Sequence, residues 1–205
     1  FYVMRMVSVA MVFVAILVVH TLVVIMVQKG KFMERMPTLL CVAGTFMLAF
    51  NLPIVATISA PFMCDSHPNG KQTLQTYPDT LCWAGGKHEA IVAVGVVSIL
   101  FPLGYLSACV WALFVFPKKV IQGDIPFLKA TYFLHCRFRP EARLYCIVML
   151  VCNMLFAFSP IFGNQIHQLT VLQCIAIATL AIVVYWRPWR ISLANDFDIM
   201  GRLGL

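Results

Sequence analysis

The stretch MVSVAMVFVAILVVHTLVVIMV (residues 6–27) decides the fold, because apolar residues cover every face of the helix it would form. Only Ser8, His20 and Thr21 interrupt it. A helix that is apolar all round lies in lipid or in a large protein core, and a chain of 205 residues is too small to build such a core. At 1.5 Å per residue, ~20 apolar residues cross the ~30 Å hydrocarbon layer of a bilayer. Four more stretches of that kind follow, at Pro37–Ala60, Ala90–Phe116, Leu144–Phe162 and Leu169–Trp186. The expected fold is all-α: a polytopic transmembrane helical bundle of five spans, forming one transmembrane domain over residues 1–205. An outer loop at 61–89 and an inner linker at 117–143 complete it.

Composition agrees. The chain is 61% hydrophobic and 11% charged, with a mean hydropathy of +0.89. A soluble domain needs more charge to cover its surface. The net charge of +7 does not point to nucleic acid, since the bases are dispersed between spans rather than gathered in one stripe. No cleavable leader is recognisable. The opening at Phe1 and the apolar drift toward Leu205 suggest a piece of a longer polypeptide.

With Phe1 outside, the inner segments hold Lys29, Lys31, Arg35, Lys118, Lys119, Lys129, Arg137, Arg139, Arg143, Arg187, Arg190 and Arg202. The outer segments hold only Arg5, Lys71 and Lys87, so the split is 12 against 3. Basic residues are retained on the cytoplasmic side during insertion, which sets the expected orientation: N-terminus outside, C-terminus cytoplasmic, in the plasma membrane. Expected partners are the bilayer itself, anionic headgroups on the inner side and further copies in a homo-oligomer. Cys64 and Cys82 are the only cysteines of the outer side, flanking the turn-rich segment Asp65–Gly70. An oxidising exterior favours a disulfide between them, worth about 3 kcal/mol; two free thiols are the alternative. No Cys or His spacing resembles a zinc site.

Within the spans, His20 is read as a buried or snorkelling histidine bonded to a neighbouring helix rather than as proton-sensing. Asn51-Leu52-Pro53 predicts a bend near mid-membrane, with Asn51 satisfying carbonyls that Pro53 frees. Gly104 and Ala108 share a face and predict close helix approach. Asn153 is a polar group within the fourth span. In the linker, Phe127, Leu128, Tyr132 and Phe133 recur at helical spacing among basic residues, which predicts an amphipathic element in the headgroup plane. Trp186-Arg187-Pro188-Trp189-Arg190 form an aromatic-basic collar at the inner interface. No phosphate loop, nucleophile elbow, zinc-protease motif or paired intramembrane carboxylates occur, so an enzyme, a metal site or a cofactor is not expected. Arginines spaced along one helix, as in a voltage sensor, are also missing.

The order Tyr132-Phe133-Leu134, Arg137-Phe138-Arg139-Pro140, Tyr145, Pro160, Trp186–Arg190 and Asn195-Asp196-Phe197-Asp198 resembles the C-terminal membrane region of large alveolate (dinoflagellate-type) surface proteins. Their membrane part is similar to that of transient-receptor-potential/polycystin-like proteins. The resemblance covers roughly residues 132–205 and implies a Cys-rich ectodomain upstream and cation-channel ancestry. In that reading the strip Arg137-Phe138-Arg139-Pro140 couples the interfacial element to the fourth span, its arginines binding lipid phosphates or a carboxylate such as Asp198. A seven-helix-like receptor or adhesion anchor without conduction is the alternative, and plain topogenic anchoring is the bland reading of the strip.

Overall fold

The computed structural model describes residues 2–28 and 32–204. Phe1, Lys29, Lys31 and Leu205 lie outside the described residues, so two of the basic residues used for orientation are not placed. The described chain is overwhelmingly helical, with α1 Tyr2–Gln28, α2 Phe32–Ala49, α3 Asn51–Ser59, α4 Lys87–Ile121, α5 Ile125–Ala130, α6 Tyr132–His135, α7 Tyr145–Phe158, α8 Gln165–Trp186 and α9 Ser192–Leu203. Four helices are long and apolar enough to cross a membrane: α1, α2, α4 and α8. Length and composition alone make this a multi-pass membrane protein.

Two of the five expected spans differ. The second is divided, because α2 ends at Ala49 and α3 begins at Asn51. Pro53 has no N–H to donate to Ala49, and its ring crowds that carbonyl. The fourth stretch forms only the 14 residues of α7 before Pro160 turns Ser159–Ile161 into a 3₁₀ turn. Charges also proved poor markers of helix ends. Helix α2 starts at Phe32, with Glu34 in its first turn, where the helix dipole favours an anion. Helix α4 runs on past Phe116 through Pro117 and the lysines Lys118 and Lys119, which sit favourably in its last turn.

The segment expected as a plain outer loop folds into a three-stranded antiparallel sheet, β1 Cys64–Ser66, β2 Gln72–Leu74 and β3 Tyr77–Leu81. Cys64 pairs with Leu74 and Ser66 with Gln72, and a bulge interrupts the β2–β3 ladder at Thr73/Leu74. Gly70 closes the first hairpin at φ +75°, a conformation L-residues avoid. The sheet packs on the start of α4, defining a sheet end of the bundle opposite the end where α4 meets α5.

The main core lies at that second end. Leu48, Leu113, Leu134, Tyr145, Leu150 and Val183 are buried there, drawn from α2, α4, α6, α7 and α8. The linker therefore contributes to the core, contrary to the expectation of a surface-lying amphipathic element. Phe133 and Leu134 are buried, while Tyr132 stays exposed. Gly44 makes this packing possible, because a Cβ there would overlap the Phe133 ring.

Helix α1 is the least enclosed, with most of its surface bare, as expected of a lipid-facing helix. His20 Nε2 has no hydrogen-bond partner, so no bond through that atom ties it to a neighbouring helix. Phe13 meets Phe46 and Phe101 edge to face at 5.3 and 5.7 Å. On one side of this trio lies an apolar hollow of about 600 Å³, reached by Gly44, Gly104, Trp111 and Phe133. On the other side a second hollow of about 330 Å³ is lined by Met6, Val9, Ile54 and Ile58. Gly104 and Ala108 line the larger hollow, and a Cβ at Gly104 would meet nothing within 4 Å. Within the described chain no other helix approaches Gly104 closely.

Candidate functional site

At the sheet end, Cys64 and Cys82 are joined in a disulfide across 6.4 Å between Cα atoms. His88, fully buried in the first turn of α4, clasps the base of the sheet. Its Nδ1 accepts from the Trp83 amide at 3.3 Å, which leaves Nε2 to donate to the Pro61 carbonyl at 3.0 Å. Cys64, Cys82 and His88 are the one grouping of metal-ligating atoms found among the described residues. Its two sulfurs are bonded to each other and both imidazole nitrogens are engaged, so the group reads as a structural clasp.

Mid-bundle, Asn51 is buried at the head of α3, and its Oδ1 has no hydrogen-bond partner. Thr57 donates to the Pro53 carbonyl, one turn back along α3, at 2.8 Å. Asn153 lines a cavity of about 20 Å³ between α7 and α8, beside Cys152, Thr179 and Arg202. The structure does not bring Asn51 and Asn153 into one site.

The densest polar arrangement lies at the opposite end, where the two motifs singled out in the sequence pair with each other. Phe138 and Trp189 form an antiparallel bridge. The Arg139 amide donates to the Pro188 carbonyl at 2.8 Å, and the Arg190 amide donates to the Arg137 carbonyl at 3.2 Å. Arg190 reinforces the pairing through Nε to the Phe138 carbonyl at 2.8 Å and Nη2 to the His135 carbonyl at 3.5 Å. The Phe138 ring, 1% exposed, packs on Tyr145 at 5.3 Å and on Trp189 at 5.1 Å. Pro140 opens a 3₁₀ turn, Pro140–Ala142, that leads into α7. Trp186 closes α8, and Arg187 reverses the chain at φ +41°.

Helix α9 locks this collar from below. Asn195, buried, accepts from the Trp189 amide at 3.0 Å and donates to the Trp189 and Ile191 carbonyls at 3.0 and 3.3 Å. Asp198 accepts from Trp189 Nε1 at 2.8 Å, from the Tyr145 hydroxyl at 3.1 Å and from Arg202 Nε at 2.8 Å. Arg202 Nη2 also donates to the Tyr145 oxygen at 3.1 Å. Arg137 and Arg139 thus do not hold Asp198, and the Arg139 side chain meets the exposed Glu141 at 3.2 Å instead.

Sequence reasoning missed the Tyr145–Asp198–Arg202 network and the His88 clasp. One signal was available: Asn195, Asp198 and Arg202 fall three and four residues apart, on one face of a helix. Nearby, burial and the Arg190 guanidinium push the His135 imidazole below its ordinary range, against a smaller upward effect of its hydrogen bond to the Leu128 backbone. At the α4–α5 turn, hydrogen bonds from Lys119 and the Phe127 amide hold Asp124 below the usual carboxylate range. No protein-family model, no curated protein and no solved structure matches the chain.

Proposed function

We propose that this chain is the membrane region of a cation-channel-like surface protein, of transient-receptor-potential/polycystin-like type, in the plasma membrane. The collar faces the cytosol and the disulfide-bonded sheet faces outside. The observation that carries the reading is the collar itself. It joins the linker (Arg137–Arg139), the start of α7 (Tyr145), the α8–α9 connection (Pro188–Arg190) and α9 (Asn195, Asp198, Arg202) through directional bonds. Movement of α9 is thereby transmitted to α7 and to the linker. The arginines at this face sit where anionic headgroups lie. A second copy of the chain would complete a pore that one such bundle does not enclose.

Purified protein fused into planar bilayers under a potassium chloride gradient should pass a cation-selective current. Trp189→Phe keeps an aromatic, though smaller, ring against Phe138 and removes the N–H to Asp198; it should lower the open fraction at unchanged protein content. Absence of current under all gradients refutes conduction. The stapled sheet supports the alternative of a receptor or adhesion anchor, since Cys64–Cys82 fixes the surface presented by β1–β3. Orientation is tested separately, by an epitope after Pro68 that antibodies reach on intact cells and one after Gly123 that they do not.

A further inference from the structure

Beside the collar, a pocket of about 190 Å³ is lined by Arg139, Arg187, Trp189, Arg190, Ser192 and Asn195. We propose that it binds a phosphomonoester, the terminal phosphate of a lipid headgroup or of a soluble anion. Three arginines line one small concavity, and none of the six lining residues is acidic. Asp198 is committed to Arg202, and Glu141, which meets Arg139, is 81% exposed, so water screens that pair and Arg139 can exchange to a better anion.

The backbone holds these groups in place. Arg187 occupies the left-handed region at φ +41°, unfavourable for a residue with a Cβ, and its side chain has no hydrogen-bond or ion-pair partner among the described residues. Arg190 is anchored by Nε and Nη2 on the carbonyls of Phe138 and His135, which fixes the plane of its fork and leaves its remaining donors for a ligand. Asn195 bonds both sides of the Trp189–Ile191 turn, so the pocket wall is rigid before any ligand arrives. Ser192, also in the wall, begins α9, whose Ncap residue Ile191 offers no side-chain cap and whose first turn carries no acidic residue. An uncapped helix start attracts anions. A doubly charged tetrahedral phosphate matches three planar forks better than a singly charged carboxylate does. The volume is ample for a phosphate group.

The inference deepens the coupling reading by naming a ligand class for the collar. It is read out by binding, so a silent bilayer recording would sink conduction without touching it. The full chain in neutral detergent, freed of phosphate, is titrated with inorganic phosphate and followed by phosphorus NMR. In parallel, the chain in phosphatidylcholine discs with and without phosphatidic acid is followed by its thermal midpoint. A charge-assisted hydrogen bond to phosphate is worth about tenfold in affinity or more, so Arg187→Gln should weaken phosphate binding at least that much. Arg139→Gln, at an exposed position, should weaken it without disturbing the collar, whereas Lys87→Gln at the sheet end should not. A higher midpoint with phosphatidic acid, lost in the Arg139→Gln/Arg187→Gln double variant, assigns the phosphate to lipid. Saturable phosphate binding with no midpoint rise assigns it to a soluble anion. The proposal is overturned if neither arm responds, or if the double variant behaves as the parent chain in both.

Discussion

Replacing Asp198 by alanine is the sharpest test of the collar. The carboxylate accepts three hydrogen bonds, from Trp189, Tyr145 and Arg202. Removing it strands the Trp189 N–H, the Tyr145 hydroxyl and a guanidinium whose side chain is 23% exposed. Breaking a fully buried ion pair costs about 3–5 kcal/mol. Here the two side chains keep 23% and 17% of their exposure, so water recovers part of the loss. The expected destabilisation is about 3 kcal/mol, at the lower end of that range. Asp198→Asn keeps one acceptor oxygen, for Trp189 and Tyr145, but turns an NH2 donor toward the Arg202 guanidinium and loses the charge, so about 2 kcal/mol is expected. Asp198→Leu combined with Arg202→Leu removes both charges and should cost less than Asp198→Ala alone. The measurement is reversible unfolding in mixed micelles of mild and denaturing detergent, followed by circular dichroism and tryptophan fluorescence. Asp196, exposed on the same helix, provides the control. If Asp198→Ala falls within about 0.5 kcal/mol of Asp196→Ala, the collar is not a cooperative unit and the coupling argument fails.

Two glycines of the bundle should respond oppositely to enlargement. Gly44→Leu drives a side chain into the Phe133 ring and should lower stability by about 1–3 kcal/mol, partly recovered by Phe133→Leu. Gly104→Leu enters open space and should leave the unfolding midpoint unchanged or raise it. The pH dependence of stability should report on His135. Its imidazole is held below the ordinary value of 6.5, so the folded chain binds fewer protons there than the unfolded chain. Stability from this group should therefore fall as pH drops below that value and be level above it. His135→Phe should flatten that slope, and an unchanged slope would show that another group causes it.

The four long helices were legible as apolar runs, a signal that needs no knowledge of neighbours. Their breaks were half legible. Pro53 and Pro160 announced irregularity, but a proline permits a kink as readily as a stop, and only packing chose Ala49 as the end of α2. The linker misled for a different reason. Phe127, Leu128, Tyr132 and Phe133 at helical spacing describe a membrane-surface helix and a core-facing one equally well, and Gly44, some 90 residues away, decides that Phe133 goes inward. The sheet was hidden because Cys64–Ser66 and Gln72–Leu74 are too short and too polar to alternate visibly. For the collar, the motifs stood out in the sequence but their partners did not. Phe138 bridges Trp189 and Tyr145 reaches Asp198 across more than 50 residues of chain, a pairing that no local pattern encodes.

The two hollows flanking Phe13 carry a consequence for handling the molecule. In a hydrocarbon solvent, space of this kind is expected to fill with acyl chains, which would then supply part of the packing around α1. Stripping those lipids during purification acts on the fold as a large-to-small core mutation would, without altering a residue. The stability measured for this protein would then belong to the chain together with its lipid, and α1, the least enclosed helix, should be the first to loosen when that lipid is washed away.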